Sequence, residues 1–307
     1  LLDIPNDRST HTRPTPRGGG LGFLIAFLLT AMVSMVGHTA FPQQFGALSP
    51  NPLSVAAALL PLAIVGFVDD RYNLSARIRY AVQLGSAAIA LICFGLLPQS
   101  WWPLTPIVVM LSTVATLIGF TALVNFYNFM DGLDGLVASV SALQLIFLAL
   151  YLQQSLWWLL AAAILGFLWW NWSPAKIFMG DVGSTVLGAS VAIALLEPTV
   201  EPLHQLSALA ITLPLTADAI YTLMRRSIRG ENIFQAHRTH LYQRLQQSGW
   251  SHASVAIAYL GWTLLIAGLL AIWSEWGSVV ACMMSIVFVA GGEGYLHLSP
   301  QSVEKSS

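Results

Sequence analysis

The chain has 307 residues, 56% hydrophobic and 9% charged, with a formal net charge of −1 and a mean hydropathy of +0.70. Soluble domains carry about 25% charged residues. A water-facing surface cannot be built from this composition, so a soluble or disordered chain is excluded, and the charge balance offers nothing to nucleic acid. What remains is an all-α polytopic integral membrane protein.

The chain starts at Leu1 rather than Met, so an earlier segment is expected. Arg8, Arg13 and Arg17 precede the first apolar run, with Pro14 and Pro16 leading into three glycines. No cleavage-like site follows that run, so this is not a signal peptide. A spanning helix needs about 20 mostly apolar residues. Candidate runs are 19–36, 53–68, 78–97, 104–124, 132–152, 155–172, 182–196, 203–223, 253–273 and 276–296. That predicts about ten transmembrane helices, because runs of this length without period-two alternation favour helices over strands. No segment is long enough for a soluble domain and no internal repeat is evident. Residues 1–307 therefore read as one transmembrane domain. Pro42, Pro50, Pro52, Pro98, Pro103, Pro198 and Pro202 mark the linkers. Cys93 and Cys282 lie inside apolar runs and read as ordinary apolar side chains, with neither a disulfide nor a cysteine metal site.

Assigning the linkers alternately to two sides places all 13 Lys and Arg residues on one of them. The other side receives only Glu197, Glu201 and Glu275. The positive-inside rule puts the basic side in the cytoplasm. The sequons at Asn73 and Asn171 then face the cytoplasm and are silent. The tryptophan pairs 101–102, 157–158 and 169–170 sit at span ends, as interfacial belts do.

The basic side also holds most of the acids. An acid at the bilayer edge is costly to desolvate and is a functional candidate by default. Asp69 and Asp70 end the second run; on a helix they point about 100° apart, which suits two different roles. Asn125, Asn128, Asp131 and Asp134 are spaced by three, so neighbours share a helix face, and Gly132 and Gly135 can open the helix toward a ligand. That spacing does not match an EF-hand loop. Asp181 lies in a glycine-containing segment, 179–184, that leads into an apolar helix. A helix N-terminus there is friendly to phosphate, and an Asp can hold a divalent ion bridging phosphate oxygens. There is no Walker A lysine pattern and no dinucleotide fingerprint. His237 and His240 lack the further ligands that zinc needs; with Arg238 and Arg244 they suit phosphate or nucleotide contact. Asp218 precedes Arg225 by two turns and is placed near the active face. Glu293, within the last run, has no functional reading.

In this order the motifs carry a specific resemblance. Segment 14–20, residues 66–70, the 128–134 segment, residues 178–184 and the late His-containing loop resemble the polyprenyl-phosphate N-acetylhexosamine-1-phosphate transferases of glycosyltransferase family 4, over nearly the whole chain. Segment 3–8 with His11, and the 237–240 loop, look most like the subgroup that initiates O-antigen synthesis in Gram-negative bacteria. The late loop departs from other branches, which carry a longer histidine run. The family has a helix before the equivalent of Asp3, which would make eleven spans.

The resemblance implies a reaction. A UDP-N-acetylhexosamine and undecaprenyl phosphate give the lipid-linked sugar pyrophosphate and UMP, with Mg²⁺ (Mn²⁺ is compatible), at the cytoplasmic face of a bacterial inner membrane. Two anionic phosphates must approach each other, so a cation and fixed donors must offset their repulsion. The implied roles are Asp181 as metal ligand, joined by Asp69 or Asp70, and Asp69 as base or phosphate-positioning group with Asp70 beside it. Asn128, Asp131 and Asp134 take the diphosphate and uridine side, and Phe178 stacks on uracil. Arg77, Arg79, His237, Arg238, His240 and Arg244 handle phosphate charge. Direct attack by the acceptor phosphate and a two-step route through an aspartyl-phosphate both stay open. N-acetylglucosamine, FucNAc, QuiNAc and GalNAc are all compatible, and homodimers occur in the family. The competing class is an ion- or solute-coupled transporter, which would place binding groups near the bilayer midplane. An intramembrane aspartyl protease would need two matched acids within spans, and Asp218 has no equal.

Overall fold

The computed structural model describes residues 2–3, 14–96, 105–196, 202–233, 235 and 237–298. These form a helical bundle with one small antiparallel ribbon. Strand β1 (Leu2–Asp3) pairs with β2 (Thr15–Pro16), Leu2 opposite Pro16 and Asp3 opposite Thr15. The helices follow as α1 (Gly19–Ala40), α2 (Pro52–Tyr72), α3 (Ala76–Phe94), α4 (Pro106–Met130), α5 (Leu136–Tyr151), α6 (Leu156–Asn171) and α7 (Gly180–Leu196). Then come α8 (Pro202–Ala208), a 3₁₀ turn (Leu209–Thr212), α9 (Leu213–Ile228), α10 (Leu241–Gln247) and α11 (His252–Leu298).

The chain is an all-α, multi-pass membrane protein. Among the described residues, six helical stretches are long and apolar enough to cross a membrane: Gly19–Ala40, Pro52–Tyr72, Ala76–Phe94, Pro106–Met130, Leu203–Ile228 and His252–Leu298. Leu136–Tyr151, Leu156–Asn171 and Gly180–Leu196 are apolar but shorter. The 47-residue α11 is interrupted at Ser274 (φ 46°, ψ −111°), between the two apolar runs that the sequence separates there. Tyr151 and His204 brace this break: the Ser274 hydroxyl lies 3.0 Å from the Tyr151 hydroxyl and 3.2 Å from His204 Nδ1. Their rings stack at 3.8 Å.

Helix α7 is the centre of the molecule, with every residue from Val182 to Leu196 buried. A helix that is apolar all round belongs in such a position. It packs against α4, α2 and α1, and its small residues allow close approach, as in membrane bundles generally. A Cβ on Gly66 of α2 would fall 2.7 Å from Val182 N, and one on Gly20 of α1 would fall 2.3 Å from Gly183 N. Backbone therefore meets backbone at the first turn of α7, which fixes Asp181 relative to the end of α2.

Candidate active site

The end of α2 presents two adjacent acids that do different work. Asp69 is buried and accepts from Leu74 N at 2.6 Å, so it shapes the turn into α3. Its other oxygen takes Arg79 Nη1, from the first turn of α3, at 2.8 Å. Asp70 points toward α7: its Oδ1 accepts from Asp181 N at 3.2 Å and lies 3.8 Å from Arg17 Nη1. A carboxylate at a helix N-terminus meets free N–H groups and the positive end of the helix dipole. Gly180 leaves room for this contact, since a Cβ there would lie 2.5 Å from Asp70 Oδ2, and its φ is +70°.

Asp181 completes the group. Asn128 Nδ2, near the end of α4, donates to Asp181 Oδ1 at 3.1 Å and to Ser184 Oγ at 3.0 Å. Arg79 Nη1 is 3.7 Å from Asp181 Oδ2, so one guanidinium faces both Asp69 and Asp181. The Asp181 side chain keeps 32% of its surface, against 6% for Asp69 and 3% for Asp70. It is the carboxylate of the three that solvent and ligand reach.

The loop before α7 is laced to the start of α1. Gly18 N and Gly19 N donate to Phe178 O at 3.2 and 2.9 Å, and Phe178 N donates to Pro16 O at 2.9 Å. Arg17, which the sequence reading had left out of the site, is brought by this pairing to the Asp70 carboxylate. Phe178 is half-buried beside it.

The remaining expected residues divide. Asp131 follows the last residue of α4, and burial, reinforced by the negative charge of Asp181, pushes its carboxyl up to about 8. Asp134 is engaged elsewhere: its Oδ2 accepts from Ala175 N at 3.1 Å and lies 3.3 Å from His252 Nδ1. Burial alone would raise its carboxyl, but the His252 and Ala175 contacts bring it below the usual carboxylate range. Asp134 therefore ties the loop before α7 to the start of α11. Arg77 is exposed, and among the described residues Arg79 is the α3 cation that pairs with Asp69 and Asp181.

Arg244 does not stand ready for phosphate. Both its terminal nitrogens bond Glu293, Nη1 to Oε1 and Nη2 to Oε2 at 2.9 Å, and Arg225 Nη1 reaches Oε1 at 3.3 Å. Glu293 thus gains its explanation as the anion between two arginines. His237 is held neutral at pH 7: burial first, then His240 and the cations of Arg226 and Arg225, lower it to about 4. It can offer phosphate a hydrogen bond rather than a charge. His240 and Tyr242 pack the loop onto the end of α4, where the Tyr242 hydroxyl donates to Phe129 O at 3.0 Å. Arg238 lies in the same loop and its carbonyl accepts from Gln247 Nε2.

Among the described residues no group of three or more His, Cys, Asp or Glu forms an all-protein metal cage. Mg²⁺ needs none: it takes one or two carboxylates and leaves the rest of its shell to water and phosphate. An accessible Asp181 beside Asp70 fits that donor chemistry.

Comparison with known proteins points to one family. Residues 52–198, which include Asp69, Asp70, Asn128 and Asp181, match the family described as Glycosyl transferase family 4. The chain is 29% identical over 282 residues to a probable undecaprenyl-phosphate N-acetylglucosaminyl 1-phosphate transferase of Bacillus subtilis, covering 84% of this chain and 74% of that one. It is 28% identical over 335 residues to a decaprenyl-phosphate N-acetylglucosaminephosphotransferase of Mycobacterium tuberculosis, covering 94% and 80%. An undecaprenyl-phosphate alpha-N-acetylglucosaminyl 1-phosphate transferase of Yersinia pestis is 28% identical, covering 82% and 71%.

Proposed function

From the place of this chain in glycosyl transferase family 4, we propose that it transfers an N-acetylhexosamine-1-phosphate from a UDP-sugar to undecaprenyl phosphate, releasing UMP. The reaction runs on the cytoplasmic face of a bacterial inner membrane, reached by ten passes with α11 crossing twice. The product starts a lipid-linked cell-envelope polysaccharide such as O-antigen. The observation that carries this reading is the meeting of helix ends: Asp69, Asp70, Asn128, Arg79 and Arg17 all touch Asp181 or one another.

The acceptor is a phosphate monoester, whose second pKa is about 6. At pH 7 it is already largely a dianion and needs no base to become a nucleophile. What must be overcome is repulsion from the diphosphate it attacks. Asp181, with Asp70 adjacent, would hold Mg²⁺ or Mn²⁺, and the ion would supply positive charge to the diphosphate oxygens. Arg79, oriented by Asp69, and Arg17, oriented by Asp70, are the fixed cations at the site, and each is about two-fifths exposed and able to meet phosphate. Asn128 holds Asp181 in one orientation. Phe178 and Asp131 flank the nucleotide side. Direct transfer is favoured over an aspartyl-phosphate because Asp69 and Asp70 are both engaged by N–H donors, which makes each a weaker nucleophile.

The test uses purified protein, undecaprenyl phosphate, Mg²⁺ and a panel of UDP-N-acetylhexosamines, with UMP release as the readout. Release should require both substrates and the metal, and Asp181→Asn should abolish it in a protein that remains folded. Activity in excess chelator, or in the variant, would remove the metal assignment. A transporter is not favoured, since these polar groups gather at helix ends and the relatives are transferases.

A further inference from the structure

Asp218 is the most completely enclosed charge on α9, with no exposed surface. Four donors from three helices close on it. Leu241 N and Tyr242 N, the first two amides of α10, donate at 2.8 and 3.0 Å. Tyr259 Oη of α11 donates at 2.7 Å, and Thr222 Oγ1 of α9 itself at 3.1 Å. Gln243 Oε1 accepts from His240 N at 3.2 Å, so α10 is capped in part from its own first turn, and Asp218 adds an acceptor from a different helix, 23 residues away. Whatever fixes Asp218 therefore helps to fix α10.

Directly before α10 lies the loop with both histidines. His240 is buried, and its Nδ1 makes no hydrogen bond among the described residues, yet it lies 3.6 Å from Asp218 Oδ1. Its ring stands 4.9 Å from that of His237 and 6.3 Å from that of Phe129 at the end of α4. Tyr242, whose amide Asp218 holds, bonds the Phe129 carbonyl. One carboxylate thus sets the loop against the end of α4, two residues from Asp131. An imidazole nitrogen left just outside bonding range of a buried carboxylate is an unsatisfied contact, and a small tightening of the loop closes it.

We propose that Asp218 is a positioning residue for substrate, which anchors the start of α10 and, as the loop closes on the nucleotide, orients the ring of His240 through Nδ1. This deepens the transferase reading and rests on it. Asp218 touches no reacting atom; it acts through the 237–242 loop. Its effect belongs to the UDP-sugar, because the loop follows the exposed 227–233 segment and packs on Phe129, two residues from Asp131.

Steady-state UMP release by the full chain tests this, with each substrate varied in turn. Asp218→Asn, which turns an acceptor toward its neighbours as a donor, should raise KM for the UDP-sugar tenfold or more and leave KM for undecaprenyl phosphate unchanged. His240→Gln should act in the same direction, and the double variant should be no worse than the more impaired single one, the signature of residues acting as a unit. Tyr259→Phe keeps the fold even if Asp218→Asn does not, and should raise the same KM several-fold. The inference falls if the two single effects multiply. It also falls if these variants lower Tm but leave both KM values as in the wild type, which is the result of a merely structural role. Absence of UMP release from the wild-type protein would instead sink the transferase reading, and this inference with it.

Discussion

The triplet spacing of Asn125, Asn128, Asp131 and Asp134 was legible in the sequence, but its meaning changes partway along. Asn125 and Asn128 lie on α4, where a step of three keeps a common face; the helix ends at Met130, so the same step no longer predicts where a side chain points. Asp134 consequently turns to His252 and Ala175. At neutral pH, Asp134→Asn should lower stability by about 2 kcal/mol, the scale of hydrogen bonds to a charged group. The sign with pH follows from its lowered carboxyl. The contribution is present above the unfolded value of about 3.9 and is lost as pH falls through the folded one, so variant and wild type should converge in acid. His237 works in the same direction but over a higher pH range. Its folded value of about 4 lies below the unfolded value of about 6.5, so the unfolded chain takes up a proton first as pH falls. Thermal melts should show stability declining from pH 6.5 to 4, and His237→Gln should remove that component. Arg17 was hard to find because an arginine in a Gly- and Pro-rich segment before a span reads as a topological anchor; its pairing with Asp70 depends on the loop lacing through Phe178.

At the scale of elements, the apolar runs coincide with helices, of which six among the described residues are long enough to span and three are shorter, and the interruption between 273 and 276 is real in α11. Helix α10 was missed. Seven residues carrying Arg, Tyr and three glutamines give no apolar run, and its start is held by Gln243 on His240 N together with a remote Asp218 that local sequence does not announce. The close packing of α2 on α7 was also invisible, since a glycine within an apolar run looks the same whether it faces lipid or backbone. Gly66 faces backbone. Gly66→Ala should cost about 2 kcal/mol in stability, the scale of overpacking. It should also reduce turnover beyond the loss of folded protein, because it moves Asp69 and Asp70 away from Asp181. Gly85, with nothing near its missing Cβ, is the comparison position, where alanine should be tolerated.

Across the whole molecule, arginines at several helix ends pair with acids of other helices, Arg79 with Asp69 and Asp181 and Arg244 with Glu293. The last helix is tied to α9 and α10 by Glu293, which bonds Arg244 through both oxygens and Arg225 through one. A bidentate arginine–carboxylate pair is directional as well as strong. Removing the anion leaves two cations facing each other, so Glu293→Gln should cost about 3 kcal/mol, measured by thermal unfolding in detergent. Sequence alone could not pair these residues, because Glu293 is 49 residues from Arg244 and meets it only when α11 folds back at Ser274.

The proposed reaction requires Asp181 to hold a divalent ion against the diphosphate of a nucleotide sugar. Electron paramagnetic resonance of Mn²⁺ bound to the purified protein, before and after addition of UDP-N-acetylglucosamine, addresses it most directly. Protein-bound Mn²⁺ should gain phosphorus coupling when the nucleotide sugar is added, and both should be lost in folded Asp181→Asn. Mn²⁺ that remains bound and phosphorus-coupled in the variant would contradict it.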